Sequence, residues 1–376
     1  MLSPIKPLQL ELSPGQKKVL SIIRNHAPVS RAKITELSGM RSGSVTSICK
    51  ELLSMQFISE GERIKAGRGQ PIIPLQLSPY AAFSFGVAFH INKIEVALAN
   101  FCGHLVDTVS FDYQESGPIE DVMEAIQSAV LRLIEKHRIQ QSRILGLGVS
   151  MPGPQLGNGR FIHTIPWLSH WREVDVAFLF GQVFEWPVWI DNDCNVSAVG
   201  EYFSGHWPEV TNMLLIEIGH GIGGGVIMDG KLFRGRHQNA GEIGTYFSVQ
   251  EPEVRRPSLR ELMQLLAENG TLVDNIQAIP PIDHPVVSKW LDHAAMQLKP
   301  LILLTLGWFD PDCIVFGGSA PEHISTELIR RIGLEQLWDQ FGMDYEMATI
   351  APSRVGPSLS SFGACMYPVF QTLEIA

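Results

Sequence analysis

Apolar side chains recur at helical spacing twice between residues 30 and 55, first as Ile34 and Leu37, then as Val45, Ile48, Leu52 and Leu53, with Gly39 between the runs. That spacing predicts two helices, each burying one face, joined by a turn tight enough to call for glycine. Ser30 stands where a hydroxyl caps the first helix, and Ser42 or Ser44 where one caps the second. Residues 57–61 and 64–75 then read as two short strands around Gly67-Arg68-Gly69. From Phe83 the alternation is that of β structure, with strands over 83–90, 93–100 and 105–111. A helix from about Ile119 to His137 carries Val122, Ile126, Val130 and Leu133 on one face, and an apolar strand over 144–150 ends at Met151-Pro152-Gly153-Pro154. The order βββαβ, with a Gly-Pro turn at the strand's carboxyl end, suits the ligand edge of an open α/β sheet. A second lobe repeats the scheme. A strand over 188–191 runs into Asn192-Asp193-Cys194-Asn195 and a helix through Ala198 and Glu201; residues 213–218 then meet glycines 219, 221, 223, 224 and 225. A buried strand after Asp310-Pro311-Asp312 ends in Gly317-Gly318.

Two helices around a glycine turn describe an ordinary αα-hairpin as well as a helix-turn-helix, and charge separates the two. Residues 1–78 hold 11 Lys and Arg against 5 Asp and Glu, net +6, while the remainder holds 18 against 34, net −16. The overall −10 therefore conceals a basic head on an acidic body, and displacing counterions from phosphates requires such local positive potential. In the helix-turn-helix reading the second helix presents Arg41, Ser42, Ser44, Thr46, Ser47 and Lys50 to base edges and phosphates. The following strands form a wing. Arg68, flanked by residues without Cβ, can lie along the minor groove. The expected macromolecular partner is a double-stranded DNA operator, and two-fold recognition by such heads implies at least a homodimer.

The 298 residues after Ser78 suffice for two further lobes, and 45% hydrophobic with 18% charged residues is the composition of a packed globular chain. No run of about 18 apolar residues occurs, and the first twelve residues are interrupted by Pro4, Lys6, Pro7 and Glu11. Neither a membrane span nor a signal peptide is predicted, so a cytoplasmic location is expected. The five cysteines, 49, 102, 194, 313 and 365, are scattered and unpaired in sequence, which predicts reduced, mostly buried thiols rather than a disulfide framework or thiolate zinc site. The glycines at 219–225 let backbone N–H groups approach an anionic or polyhydroxylated ligand, although a plain hairpin would also account for them.

The Gly-Arg-Gly-Gln-Pro wing, Met151-Pro-Gly-Pro, Asp191-Asn-Asp-Cys-Asn, Gly219-His-Gly-Ile-Gly-Gly-Gly, Asn239-Ala-Gly-Glu-Ile-Gly244 and Asp310-Pro-Asp-Cys-Ile-Val-Phe-Gly-Gly318 together resemble the ROK family of sugar-responsive repressors and sugar kinases. The resemblance spans essentially the whole chain. It implies an α/β fold class: an N-terminal winged helix-turn-helix followed by a two-lobed, actin-like (ribonuclease H-like) ATPase and sugar-kinase fold with a sugar cleft between the lobes. The corresponding domains are 1–78 for DNA binding, 79–190 for the first lobe with a C-terminal helix at about 356–376 returning to it, and 191–355 for the second lobe, dimerisation and effector binding. A homotetramer is then compatible as well as a homodimer.

Catalysis in such kinases is positioning and charge stabilisation. By resemblance, Asp193 matches the catalytic aspartate and Gly219 to Gly225 the second phosphate loop, with His220 where a small hydroxyl residue is usual. The first phosphate loop aligns with Ala88-Phe89-His90-Ile91-Asn92, so alanine replaces the carboxylate that would organise Mg²⁺. The family's zinc-binding histidine is Thr245 here, and no cysteine follows between Tyr246 and Arg260, which predicts no metal. The implied effector contacts are Gly153, Asn192, Asp193 and Glu242, with Thr245 at the histidine position. These features predict a non-enzymatic transcriptional regulator of carbohydrate-metabolism genes, a repressor without cofactor, controlled by a small sugar-like effector. The alternatives are an active ATP-dependent sugar kinase with an appended head, and a ligand-free dimerisation or docking regulator.

Overall fold

A computed structural model describes residues 11–64, 72–114, 117–156, 161–162, 166–249, 255–334 and 347–374. The chain divides into two compact units, one of Met1–Asp193, Phe203–Glu209 and Ser361–Ala376, the other of Cys194–Tyr202 and Val210–Ser360.

The first unit opens with α1 (Pro14–His26), α2 (Arg31–Ser38) and α3 (Ser42–Ser54), followed by the antiparallel pair β1 (Ile58–Glu60) and β2 (Leu75–Leu77). This is a helix-turn-helix with the stem of a wing; the basic tip at 65–71 lies outside the described residues. The first turn of α1 is fixed by a capping box in which the Ser13 and Gln16 side chains each satisfy the other's backbone N–H, with Pro14 at the first helical position. Ser30 caps α2, accepting from the Lys33 amide at 3.2 Å, and Gly39 ends it in the left-handed conformation at φ 67°. Two expectations need correction. The N-cap of α3 is Arg41, with no side-chain cap from Ser42 or Ser44. Leu37 is 38% exposed, and Ile48 and Leu53 are only half-buried. The buried line of α3 is Val45, Cys49 and Leu52, because α1, unanticipated in the sequence reading, packs on the bundle and turns the seam towards Val19, Leu20 and Ile23.

The body of this unit is a sheet of order β5-β4-β3-β6-β9, made of β3 (Phe83–His90), β4 (Lys93–Asn100), β5 (Leu105–Asp112), β6 (Ile144–Met151) and β9 (Val188–Asn192). β3, β4 and β5 form an antiparallel meander, while β6 and β9 run parallel to β3. The short pair β7 (Gln155–Leu156) and β8 (Phe161–Ile162) stands apart. Helices α4 (Ile119–His137) and α5 (Val176–Val183) cover the sheet through Ile126, Val130, Leu133 and Phe180. The last helix, α11 (Leu359–Leu373), lies so close to the sheet that a Cβ at Gly148 would collide with the Ala364 carbonyl. β9, read in the sequence as opening the second lobe, is the edge strand of this first sheet, since its apolar residues pair with β6.

The second unit contains most of α6 (Asp193–Phe203) and repeats the same strand plan. β10 (Met213–Ile218), β11 (Ile222–Met228) and β12 (Lys231–Leu232) form an antiparallel meander, and β13 (Cys313–Gly317) and β14 (Thr349–Pro352) continue parallel on the other side of β10. Helices α7 (Gly244–Val249), α8 (Leu259–Glu268), α9 (Pro285–Phe309) and α10 (Glu322–Ile332) complete it. Its core joins Leu262, Leu266, Leu291, Leu298 and Ile302 to Ile216, Ile314 and Phe316 of the sheet. Among the described residues no helix is long and apolar enough to cross a membrane. All five cysteines are free, four of them buried and Cys102 half-buried.

Candidate functional site

Arg41, Ser42, Ser44, Thr46, Ser47 and Lys50 are all exposed on the amino-terminal part of α3. Their common face follows from the buried line at Val45, Cys49 and Leu52, which leaves the opposite side to solvent. Thr46 donates its hydroxyl to the Ser42 carbonyl at 2.9 Å and Ser47 donates to Glu51 at 3.2 Å, so Arg41 and Lys50 are the longer-range reach of the face. Arg68 lies outside the described residues.

The head is attached to the first sheet by an unusual contact. Arg24, near the end of α1, donates from Nη2 to the Phe101 carbonyl at 2.8 Å, and its guanidinium carbon lies 4.9 Å from the Phe203 ring centroid and 5.8 Å from that of Phe101. Its Nε and Nη1 are shut off from solvent and have no hydrogen-bond partner among the described residues. Burial pulls the Arg24 pKa down to about 10, with the Cys102 sulfur opposing, because a desolvated cation is penalised when no carboxylate compensates it. Phe57, just before β1, packs edge-on against Phe101 at 5.1 Å, Arg143 donates to the Ala81 carbonyl at 3.1 Å, and Lys17 donates to the Glu374 carbonyl of the C-terminal segment at 2.8 Å. Sequence reasoning missed Arg24; its signal is a lone arginine on the flank of an otherwise apolar helix seam.

The carboxyl ends of the parallel strands β6 and β9 bring Gly153 and Asn192-Asp193 to one edge of the first sheet, since Met151 pairs with Asn192. Gly153 adopts φ 114°, a conformation that favours glycine. Asp191 is fully buried; its carboxylate accepts from the Asn192 amide at 2.8 Å and from the Tyr367 hydroxyl. That pins the strand end from which Asp193, half-buried, begins α6. A carboxylate at the first residue of a helix lies at the positive end of its dipole and can accept hydroxyl hydrogen bonds.

Ala88 is buried and pairs with Glu95 across the β3–β4 hairpin, whose turn consists of only Ile91 and Asn92. Phe89 sits among aromatic rings, 5.0 Å from Trp171 and 6.2 Å from Tyr113. Glu95, also buried, accepts from Lys93 at 3.2 Å and from the Ser361 hydroxyl, and burial lowers the His90 pKa. A two-residue turn closed by bulky side chains offers no backbone cradle of the kind a glycine-rich phosphate loop provides.

The second glycine cluster also differs from its sequence reading. Only Gly219, His220 and Gly221 form the turn, because Ile218 pairs with Ile222; Gly223, Gly224 and Gly225 lie within β11. A Cβ at Gly223 would collide with the Cys194 sulfur, and one at Gly225 would come within 2.5 Å of the Cys194 carbonyl. These glycines are there so that the first turn of α6 can lie on β11, which positions that turn rather than exposing N–H groups to a ligand. Glu242 is half-buried, and the exposed Thr245 donates its hydroxyl to the Glu242 carbonyl at 2.7 Å. Further along α6 the buried Glu201 accepts from the Ser353 hydroxyl at 2.6 Å and the Arg354 amide at 3.1 Å. That loop borders a cavity of about 960 Å³ lined by Gly317, Gly318, Glu322, His323 and residues 351–357.

No cluster of three or more His, Cys, Asp or Glu side chains fit to hold a metal occurs among the described residues. With Thr245 and the cysteine-free stretch after it, the purified protein is expected to contain no stoichiometric zinc by elemental analysis and to keep its melting temperature in chelator. One zinc per chain would refute this.

Residues 85–253 match the ROK family. The chain is 27% identical to the xylose repressor of Bacillus spizizenii over 377 residues, covering 96% of both chains. It is 29% identical over 369 residues to an uncharacterised protein of Sinorhizobium fredii, covering 97% of this chain and 93% of the relative. The fold is that of a ROK family transcriptional regulator described as a homologue of the E. coli MLC protein, at TM-score 0.68 and 20% identity over 95% of both chains. It is also that of a ROK hexokinase from Thermus thermophilus, at TM-score 0.59 and 21% identity over 76% of this chain and 97% of the other.

Proposed function

We propose that this chain, whose residues 85–253 match the ROK family, is a DNA-binding repressor of carbohydrate-metabolism genes whose grip on its operator is altered by a small sugar or sugar derivative. Residues 1–78 form the DNA-binding head, 79–190 together with the returning C-terminal segment the first lobe, and 191–355 the second, which serves effector binding and dimerisation. The effector contacts implied by the resemblance are Gly153, Asn192 and Asp193 in the first unit and Glu242 in the second, each able to engage sugar hydroxyls.

The observation that carries this reading is the run of α6. The helix starts at Asp193, the implied sugar contact, and ends at Phe203, whose ring lies against the buried guanidinium of the head's Arg24. Eleven residues span about 16 Å as a rigid rod, so a shift of the first turn when hydroxyls bind Asp193 is delivered to the last. A head docked through an uncompensated buried cation is held by a small margin, which is what a switch requires. The kinase reading keeps one supporting observation, the cavity beside Gly317 and Gly318, whereas the closed β3–β4 turn opposes it.

The test is operator selection from random DNA followed by a salt-controlled shift assay, with D-xylose as the first sugar probe because relatives are named xylose repressors. The expected result is specific binding that the cognate sugar changes at least tenfold. Arg68→Ala should weaken operator binding and relax preference for A·T-rich sequence beside each half-site while leaving the body folded. Binding without sequence preference in the parent would sink the regulator reading, and equal affinity of mutant and parent would sink the minor-groove role.

A further inference from the structure

The last helix, α11, contacts both the strand end that carries Asn192 and Asp193 and the head. Its first half is seated on the first sheet: Cβ atoms at Gly86 and Gly148 would collide with the Cys365 amide and the Ala364 carbonyl, and the buried Ser84 hydroxyl donates to the Cys365 carbonyl at 2.6 Å. Tyr367, itself buried, donates its hydroxyl to the fully buried Asp191. Through its other oxygen that carboxylate accepts the Asn192 backbone N–H at 2.8 Å, so one tyrosine hydroxyl holds the group that fixes the strand end. Pro368 follows, and because it has no N–H to give the Ala364 carbonyl, the helix ladder is broken between the seated half and the last turns. Those turns carry Phe370, whose ring lies 6.1 Å from that of Tyr367 and edge-on to Phe203 at 5.5 Å. Phe203 in turn lies 4.9 Å from the Arg24 guanidinium carbon, and just past the helix the Glu374 carbonyl accepts from Lys17 of α1 at 2.8 Å. Asp191, Tyr367, Phe370, Phe203 and Arg24 therefore form a continuous series of contacts within the first unit.

We propose that Tyr367 is a positioning residue that couples the Asn192-Asp193 strand end to the docking of the head. The inference rests on the regulator reading for what the docking controls, and on these contacts for the coupling itself. Without sugar, the tyrosine hydroxyl holds the last turns of α11 where Phe370 supports Phe203 beneath Arg24. A buried carboxylate keeps its donors, because a polar group left unpaired costs its full desolvation. When hydroxyls binding at Asp193 turn the neighbouring Asn192 peptide, Asp191 follows that N–H and the tyrosine hydroxyl follows Asp191. A ring packed on a ring cannot move alone in a close-packed interior, so Tyr367 displaces Phe370 and Phe370 displaces Phe203. The break at Pro368 is the joint that lets the last turns pivot while the half seated on Gly86 and Gly148 stays in place. This series runs beside α6 and meets it at Phe203, the residue on which both end.

Coupling shows as non-additivity, so the experiment is hydrogen exchange in the full chain, free of DNA and sugar, scored over residues 17–26 of α1 with β10 and β13 of the second unit as internal reference. Tyr367→Phe, which keeps the ring and removes only the hydroxyl, should speed exchange in α1 by about fivefold or more, the lower end of ordinary coupling between sites. Phe370→Leu should do the same, and the double variant should exchange no faster than the faster single one. Ser361→Ala is the control: it strips from α11 a different buried hydroxyl, one that donates to Glu95, and should leave α1 unchanged. A smaller rise in Tyr367→Phe, an equal rise in Ser361→Ala, or multiplied effects in the double variant would each overturn the proposal. Should Phe370→Leu fail to fold, the comparison of Tyr367→Phe with Ser361→Ala decides alone. If α1 responds as expected and no operator or sugar is found, the regulator reading fails and this coupling stands. If a sugar-responsive operator is found and α1 is unmoved, the reverse holds.

Discussion

Replacing Arg24 by methionine is expected to abolish the effect of the sugar on operator affinity while leaving the protein at least as stable as the parent. The guanidinium gives one hydrogen bond to Phe101 and two ring contacts, and in return loses its hydration with no carboxylate beside it among the described residues. Exchanging a buried, uncompensated ion for an apolar side chain of similar length is commonly neutral or stabilising, here by up to about 2 kcal/mol. The head would then stay docked whatever happens at Asp193. Arg24→Ala should behave differently, because it removes the stem that packs between Phe101 and Phe203 and leaves a void; a loss of about 1–3 kcal/mol is expected, with a lower melting temperature. Thermal unfolding of both variants, followed by shift assays with and without the sugar that stabilises the parent, separates packing from signalling. A methionine variant that still responds fully would show that the contact between Phe203 and Arg24 carries no signal.

The same contact marks the limit of what the sequence discloses. Period and turn chemistry made the meander from Phe83, the helix at Ile119–His137 and the glycine turn at Gly39 legible, since each is decided within a few residues. The stretch at 14–26 carried the same signals, Ser13 to Gln16 and Val19, Leu20 and Ile23, and could have been read as α1. By contrast, the position of Leu37 depends on which side α1 covers, and the glycines of β11 depend on how closely α6 approaches. Both are settled by partners remote in sequence. Ala88 shows that a missing functional residue can be read from an alignment of motifs, yet only the two-residue turn and the packed Phe89 explain why a neighbouring group would not readily stand in for it. Chemistry written as residue identity was visible in the sequence; chemistry written as burial without a counter-ion, as at Arg24, was not.

No sugar-dependent hydrolysis of ATP is expected from this protein, and Asp193→Ala or Glu242→Ala should nonetheless remove its response to the sugar. Phosphoryl transfer needs a metal-organising carboxylate and a phosphate cradle as well as a proton acceptor. Ala88 offers no carboxylate, the β3–β4 turn has no glycine, and the neighbouring Glu95 is already bonded to Lys93 and Ser361. A carboxylate can still accept hydrogen bonds from sugar hydroxyls when no phosphate moves. Truncating either acid should leave hydroxyls unpaired at a cost of about 1.5–3 kcal/mol per charged hydrogen bond, lowering sugar affinity roughly ten- to a hundredfold. Operator binding in the absence of sugar should persist in both variants, because the reader face on α3 is untouched. Coupled-enzyme detection of ADP with a panel of hexoses and pentoses, run beside titration calorimetry of the variants, decides the matter. Turnover with a cognate sugar would restore the kinase reading and give the cavity beside Gly317 a nucleotide to hold. An unchanged response in both variants would remove Asp193 and Glu242 from the effector site, and with them the start of the α6 route to the head.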